Sequence, residues 1–204
     1  MELVIDTATD ACSVALIDKG QVVAERHEEI GRGHAERLLP MIAELPDGGR
    51  PDTIIVDCGP GSFTGVRVGI AAARALGLAW RIDITGYTSL SLLAAAALAR
   101  RPTLDTLAVA IPAGHGEVFL QHFSSFPLAD CGPLVSLPPE EAAKRIDAPL
   151  IVGKAAAELV ALGASAEARD MLPRAAEMIH LPQDLKRMPP QPVYGRPPDA
   201  KPMR

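Results

Sequence analysis

Residues 53–80 read TIIVDCGPGSFTGVRVGIAAARALGLAW, and the order of residue types in this stretch decides the fold class. Thr53 to Asp57 is short, β-branched and apolar, with Pro51-Asp52 before it and Gly59-Pro60-Gly61 after it, the pattern of a buried central strand. A helix is predicted to begin near Phe63 to Gly65 and to last to about Ala79, because Ser62 and Thr64 carry side-chain oxygens able to cap free backbone N–H groups. Along it Gly65, Gly69, Ala73 and Gly77 recur every fourth residue, so one face is nearly bare backbone, while Val66, Ile70, Leu76 and Leu78 cover much of the rest. A glycine in a helix interior costs roughly 1 kcal/mol against alanine. Something must therefore approach this face closely. A helix apolar nearly all round is buried on more than one side. Periodicity leaves open whether the small strip faces a sheet or a partner.

Upstream, Leu3 to Asp6, Cys12 to Ile17 and Gln21 to His27 alternate as strands, and the short turns between them force antiparallel pairing. His34 to Leu45 carries Ala35, Leu38, Leu39, Ile42 and Leu45 at helical spacing, and Pro40 inside that run predicts a kink or a late start. Downstream, Arg81 to Thr85 is a further strand and Ser89 to Arg100 an alanine- and leucine-rich helix. The order β-β-β-α-β-α-β-α is the plan of the ribonuclease H-like fold, which actin-like ATPases and sugar kinases share.

The second half is less patterned. Leu104 to Ile111 and Glu117 to Phe123 pair around Pro112 to Gly116, Pro133 to Leu137 adds a strand, and Pro139 to Arg145 is a short helix. Leu150 to Val152 is a strand and Lys154 to Leu162 a helix that Gly163 ends. The chain from Pro182 on is dense in proline and predicts an extended tail. The expected organisation is α/β and actin-like, with an N-terminal lobe over 1–100, a smaller, reduced lobe over 101–181 and the tail over 182–204. No internal repeat is visible in the sequence.

Composition narrows the functional classes. The 204 residues are 48% hydrophobic, enough for a proper core, and a net charge of −5 with 3% aromatic residues argues against a chain that grips nucleic acid by itself. Cys12, Cys58 and Cys131 are widely spaced with no CxxC pair, which points to a reducing cytoplasmic setting and no zinc. The start MELVIDTATD lacks the features of a signal peptide, and the longest apolar run, Leu92 to Ala99, is too short to span a bilayer, so no membrane role is expected.

Two constellations could carry chemistry. A glycine turn feeding a helix N-terminus presents N–H groups to an anion, so Gly59, Gly61 and Ser62, with Asp6, Thr7 and Thr9 after the first strand, form a candidate vestigial nucleotide site. No lysine follows the glycines, and their spacing misses GxGxxG by one residue. Asp6 and Asp57 end their strands and Glu36 lies on the first helix, where a ribonuclease H-like nuclease would keep its metal-binding acids; a complete metal site lacks a further acid late in the fold. The five histidines form no HxxxH or HExxH, and no Ser-His-Asp or Cys-His arrangement stands out.

IDTATDACSVAL, GHAERLLPMI, GPGSFTGVRVGIAAARALGLA and PVYGRPPDAK together resemble the TsaB (YeaZ) family of bacterial threonylcarbamoyladenosine biosynthesis proteins, over nearly the whole chain. The resemblance implies a catalytically silent paralogue of TsaD, the subunit that transfers threonylcarbamoyl from its adenylate to N6 of adenosine 37 in tRNAs reading ANN codons. It also implies pairing with TsaD, recruitment of the ATPase TsaE, contact with tRNA only through the complex, and no cofactor or metal. A homodimer is expected when the partner is absent. The family's usual Asp-Ala-Arg is replaced here by Pro112-Ala113-Gly114. The expected partner surface comprises Leu38, Leu39 and Ile42 of the first helix with Gly65, Val66, Gly69, Ile70, Ala73 and Gly77 of the second. The readings from other classes are an actin-like ATP-binding enzyme and a metal-dependent nuclease.

Overall fold

The structure, a computed structural model, describes residues 1–195. The first sheet is built from β1 (Glu2–Asp6), β2 (Ala11–Asp18), β3 (Gln21–Glu29), β4 (Thr53–Asp57) and β5 (Asp83–Tyr87), in the order β3-β2-β1-β4-β5. β1, β2 and β3 pair antiparallel, whereas β4 is parallel to both β1 and β5. That is the ribonuclease H-like plan. Its helices are α1 (His34–Ala43) and α2 (Phe63–Trp80), with α3 (Ser89–Arg100) leading out of the lobe.

The second sheet holds β6 (Thr106–Gly114), β7 (Glu117–Ser125), β8 (Leu128–Asp130), β10 (Leu150–Val152) and β11 (Glu167–Arg169), in the order β11-β10-β6-β7-β8, while β9 (Val135–Leu137) pairs with β7. Two antiparallel hairpin pairings, followed by a parallel fourth and fifth strand, repeat the first sheet strand for strand. The duplication was invisible in the sequence because it is one of topology. The second lobe is reduced in its helices, α4 (Pro139–Lys144) and α5 (Ala156–Ala161) having six residues each, and in β8, β10 and β11, which have three each.

Strict alternation sorts the core into layers. Leu3, Ile5, Ile54 and Val56 face α1 and α2, whereas Val4 and Ile55 face Leu92 and Ala95 of α3. On the second sheet Leu107, Val109 and Ile111 meet Leu90, Leu93, Ala94 and Ala97 of α3, and Ala108, Ala110 and Ile151 meet α4 and α5. Helix α3 is thus clasped between the two sheets. Its alanines let both sheets come close.

Several boundaries differ from expectation for identifiable reasons. α1 starts at His34 without delay despite Pro40, because that residue lies on the exposed side while Leu38, Met41 and Ile42 are held in the core. β5 begins two residues late because Arg81 takes a left-handed conformation (φ 58) that caps α2, with the Ile82 N–H donating to Gly77 O. The 3₁₀ segment Ala175–His180 packs Ala175 and Met178 on the first sheet with Val4, Ala15 and Ile17, although the chain reaches it from the second lobe. Residues 182–195 of the expected tail lie against the first lobe: Met188 pairs with Gly86 in both directions and Val193 donates its N–H to Cys58 O at 2.8 Å. The rest of the expected tail, 196–204, lies outside the described residues.

The small strip of α2 faces the sheet, which corrects its expected place in a partner surface. A Cβ on Gly65 would lie 2.0 Å from Thr7 O, one on Gly69 2.5 Å from Thr7 Oγ1, and one on Gly77 2.6 Å from Ile84 Cδ1. Val66, Ile70 and Ala73 are buried beside them, as are Leu38 and Ile42 of α1. Gly69→Leu is accordingly expected to destabilise the fold by more than the about 1–3 kcal/mol of ordinary overpacking, lowering Tm by at least about 5 °C for a chain this size. Thermal melting followed by circular dichroism checks this, and a Tm unchanged within about 1 °C would refute the inward packing.

Candidate functional site

Between the lobes lies a cleft of about 910 Å³. Its floor is the β1–β2 turn (Ala8, Thr9, Asp10) and the start of α2 (Gly61, Ser62, Phe63, Val66, Arg67), and its roof is the end of β6 from Ile111 to His115 with Phe119 of β7. Lys154 and Leu172 stand at one side, and Pro192, Val193, Tyr194 and Gly195 at another. Of the candidate nucleotide residues, Thr9, Gly61 and Ser62 line this cleft, while Asp6, Thr7 and Gly59 are buried beneath it. Phe63, Arg67, Lys154 and Tyr194 were not foreseen. Only the exposed aromatic beside a cation four residues on, Phe63 and Arg67, could have signalled them.

Part of the glycine turn is engaged by protein backbone and side chains. Ser62 donates its N–H to Ala8 O at 2.6 Å, its side chain accepts the Gly65 N–H at 3.2 Å, and its carbonyl accepts the Val66 N–H. Thr7 Oγ1 donates to Gly65 O at 2.8 Å. A Cβ on Gly61 would lie 2.0 Å from Ala8 O. These glycines let the β1–β2 turn sit on the helix start, which leaves the N–H groups of Ser62, Gly65 and Val66 engaged within the protein. The same approach recurs in the second lobe, where a Cβ on Gly153 would lie 2.2 Å from Ala110 O.

Beneath the turn, Asp6 and Asp57 are side by side and fully buried. Tyr87 Oη donates to Asp6 Oδ2 at 2.8 Å, Ser89 Oγ to Asp57 Oδ2 at 2.6 Å, and the Gly59 N–H to Asp57 Oδ1 at 2.7 Å. Asp6 Oδ1 meets no such donor. Burial pushes Asp6 up to about 6 despite the Tyr87 hydrogen bond, and burial together with the neighbouring Asp6 charge raises Asp57 well above the usual carboxylate range. Glu36 is exposed on α1 and does not join them, so the three acids expected for a nuclease are not one site. Among the described residues no group of three or more His, Cys, Asp or Glu side chains is arranged to hold a metal.

A raised carboxyl pKa binds more protons in the folded chain than in the unfolded one. The pair's stabilising contribution is therefore fully present below about pH 4 and is lost as pH rises through about 6 and beyond. Asp57→Asn, which keeps the size and removes one titrating acid, is expected to melt higher than the parent at pH 8 and to show a shallower decline in stability between pH 4 and 8. Parallel melting-temperature profiles for the two proteins would contradict the raised titration of the buried pair.

Residues 21–128 match the family model described as TsaD, tRNA N6-adenosine threonylcarbamoyltransferase. The tRNA threonylcarbamoyladenosine biosynthesis protein TsaB of Escherichia coli is 39% identical over 122 residues, which cover 57% of this chain and 52% of that one. The chain thus spans about half the length of that curated relative. An uncharacterized protein of Mycobacterium tuberculosis is 34% identical over 98% of this chain and 94% of its own. Among solved structures, YeaZ from Pseudomonas aeruginosa superposes with a TM-score of 0.78 at 29% identity, covering 95% of this chain and 98% of that one.

Proposed function

Since this chain belongs to the family of the tRNA N6-adenosine threonylcarbamoyltransferase TsaD, and within it to the TsaB (YeaZ) branch, we propose that it is a non-catalytic scaffold subunit that pairs with TsaD, with TsaE joining the pair, in threonylcarbamoyl transfer to tRNA. The observation that carries this reading is the outer flank of α2. Ala71, Ala75 and Leu78 are exposed at helical spacing, Leu78 by 82%, and α1, packed alongside, adds Leu39 at 52%. Of the partner surface expected from the sequence, Leu39 alone is open to a partner. The small, flat residues around Leu78 suit a second helix pair laid against them. A second copy of this chain covers the same flank when TsaD is absent, giving the homodimer.

The interior supports a silent role. The acid pair is sealed beneath Ala8 and the glycine turn, the N–H groups of Ser62, Gly65 and Val66 are engaged, and the buried thiols of Cys12 and Cys58 are both pushed up to about 12 by burial. All three cysteines are unpaired, in keeping with a reducing cytoplasm, and among the described residues no helix is long and apolar enough to cross a membrane. The ATP-binding reading is tested by titration with labelled ATP and Mg²⁺, where no saturable binding to the isolated chain is expected.

The scaffold reading is tested by reconstitution. TsaD, TsaE, threonylcarbamoyl adenylate and an ANN-reading tRNA are expected to give modified adenosine 37 only when this chain is present, and this chain with tRNA and the adenylate alone is expected to give none. Turnover by the isolated chain would overturn it. Leu78→Asp is expected to fold with an unchanged Tm and to weaken TsaD binding by about 2 kcal/mol or more, roughly 30-fold. Calorimetric titration against TsaD measures the loss; an unchanged affinity would move the interface elsewhere.

A further inference from the structure

The stretch 187–195 joins the lobes without being regular structure. It starts on the first sheet, where Gly86 donates its N–H to Met188 O at 2.7 Å and accepts the Met188 N–H at 3.0 Å. Gly86 permits this because a Cβ there would meet Cys58 Sγ at 2.4 Å and Pro189 O at 3.3 Å. The stretch then runs along α2, where Arg74 donates to Pro190 O at 2.7 Å and Arg67 to Tyr194 Oη at 2.6 Å. The Arg67 guanidinium also lies over the Phe63 ring, 3.3 Å from its centre. At its end Gly195 is pressed on Phe119 of the second sheet, so closely that a Cβ would lie 2.3 Å from Phe119 Cε1. Pro192, Val193, Tyr194 and Gly195 together form one wall of the cleft.

We propose that 187–195 is a releasable strap that holds the second lobe against the first and keeps that side of the cleft shut. Pro189, Pro190 and Pro192 have no N–H to give, so the stretch cannot zip onto β5 as a further strand and is retained by separate single contacts. On the first lobe it is held by hydrogen bonds to backbone and to the α2 arginines and by Val193, which packs against the first-lobe core. The contact on the second lobe is a backbone-to-ring contact that only glycine allows. On the other side of the cleft Lys154 bonds Glu29 at 2.8 Å, an ion pair between the lobes. Letting go of Phe119 would leave α3, the segment 175–180 with Leu128 beside it, and that ion pair to set the angle between the sheets.

Gly195→Val tests the strap directly, because Gly195 is not in a left-handed conformation and the new side chain wedges against Phe119 while leaving every first-lobe bond in place. The lobe separation is read by energy transfer between labels on the exposed Cys131 and on Val23→Cys, a half-exposed position of β3; Cys12 and Cys58 are buried and do not label. A second protein, ended after Pro192, removes the strap's far end altogether. Circular dichroism confirms that each is folded. The expected result is one narrow transfer efficiency for the parent and a displaced or broadened one for Gly195→Val, for the shortened chain, or for both. Transfer efficiencies unchanged in both would overturn the proposal.

Discussion

The close seat of α2 on the β1–β2 turn is the constraint from which the rest of the molecule follows. Carbonyls of Thr7 and Ala8 stand where side chains at Gly65 and Gly61 would have to be, and Thr7 Oγ1 bonds the helix at Gly65 O. That approach draws the ends of β1 and β4 together over Asp6 and Asp57, engages the N–H groups of Ser62, Gly65 and Val66 within the protein, and turns the small face of α2 inward. It also decides what is left outside. With its glycines against the sheet, α2 presents Ala71, Ala75 and Leu78 to solvent, and those residues have no role in the core.

The second lobe repeats the design at lower cost in chain length. Gly153 sits under Ala110 O as Gly61 sits under Ala8 O, and the strand order is the same, yet the helices are cut to six residues. Helix α3 supplies the missing apolar cover for both sheets, which is why it is buried almost all round. The cleft is what remains between two copies of one topology that share a helix. Ile111, Pro112, Ala113 and Phe119 leave its roof largely apolar.

The first lobe was legible because its signals are local and redundant: alternation in β1 to β3, a capped helix after a glycine turn, and a continuous apolar run in β4. The orientation of α2 was not legible, since a small strip fits a sheet and a partner helix equally well. Only the atoms opposite it, Thr7 Oγ1, Val56 and Ile84, decide the matter. β8 and β11 were missed because three residues carry too little alternation to stand out. The return of 175–195 to the first lobe was missed because its partners, Ser13, Gly86 and Cys58, are remote in sequence. The buried acid pair was visible as two strand-ending aspartates, but its hydrogen-bonded setting depends on Tyr87 and Ser89, which no spacing rule connects to them.

We propose that one helix divides its labour, its inner face making the fold and its outer face meeting TsaD. Methyl-resolved NMR of the isotope-labelled chain, recorded as unlabelled TsaD is added, tests that division in a single titration. The methyl signals of Leu78 and Leu39 are expected to shift or broaden with TsaD, while those of Ile5, Val66 and Ile70 stay in place. Perturbation of Ile5, Val66 and Ile70 with Leu78 and Leu39 unmoved would contradict it.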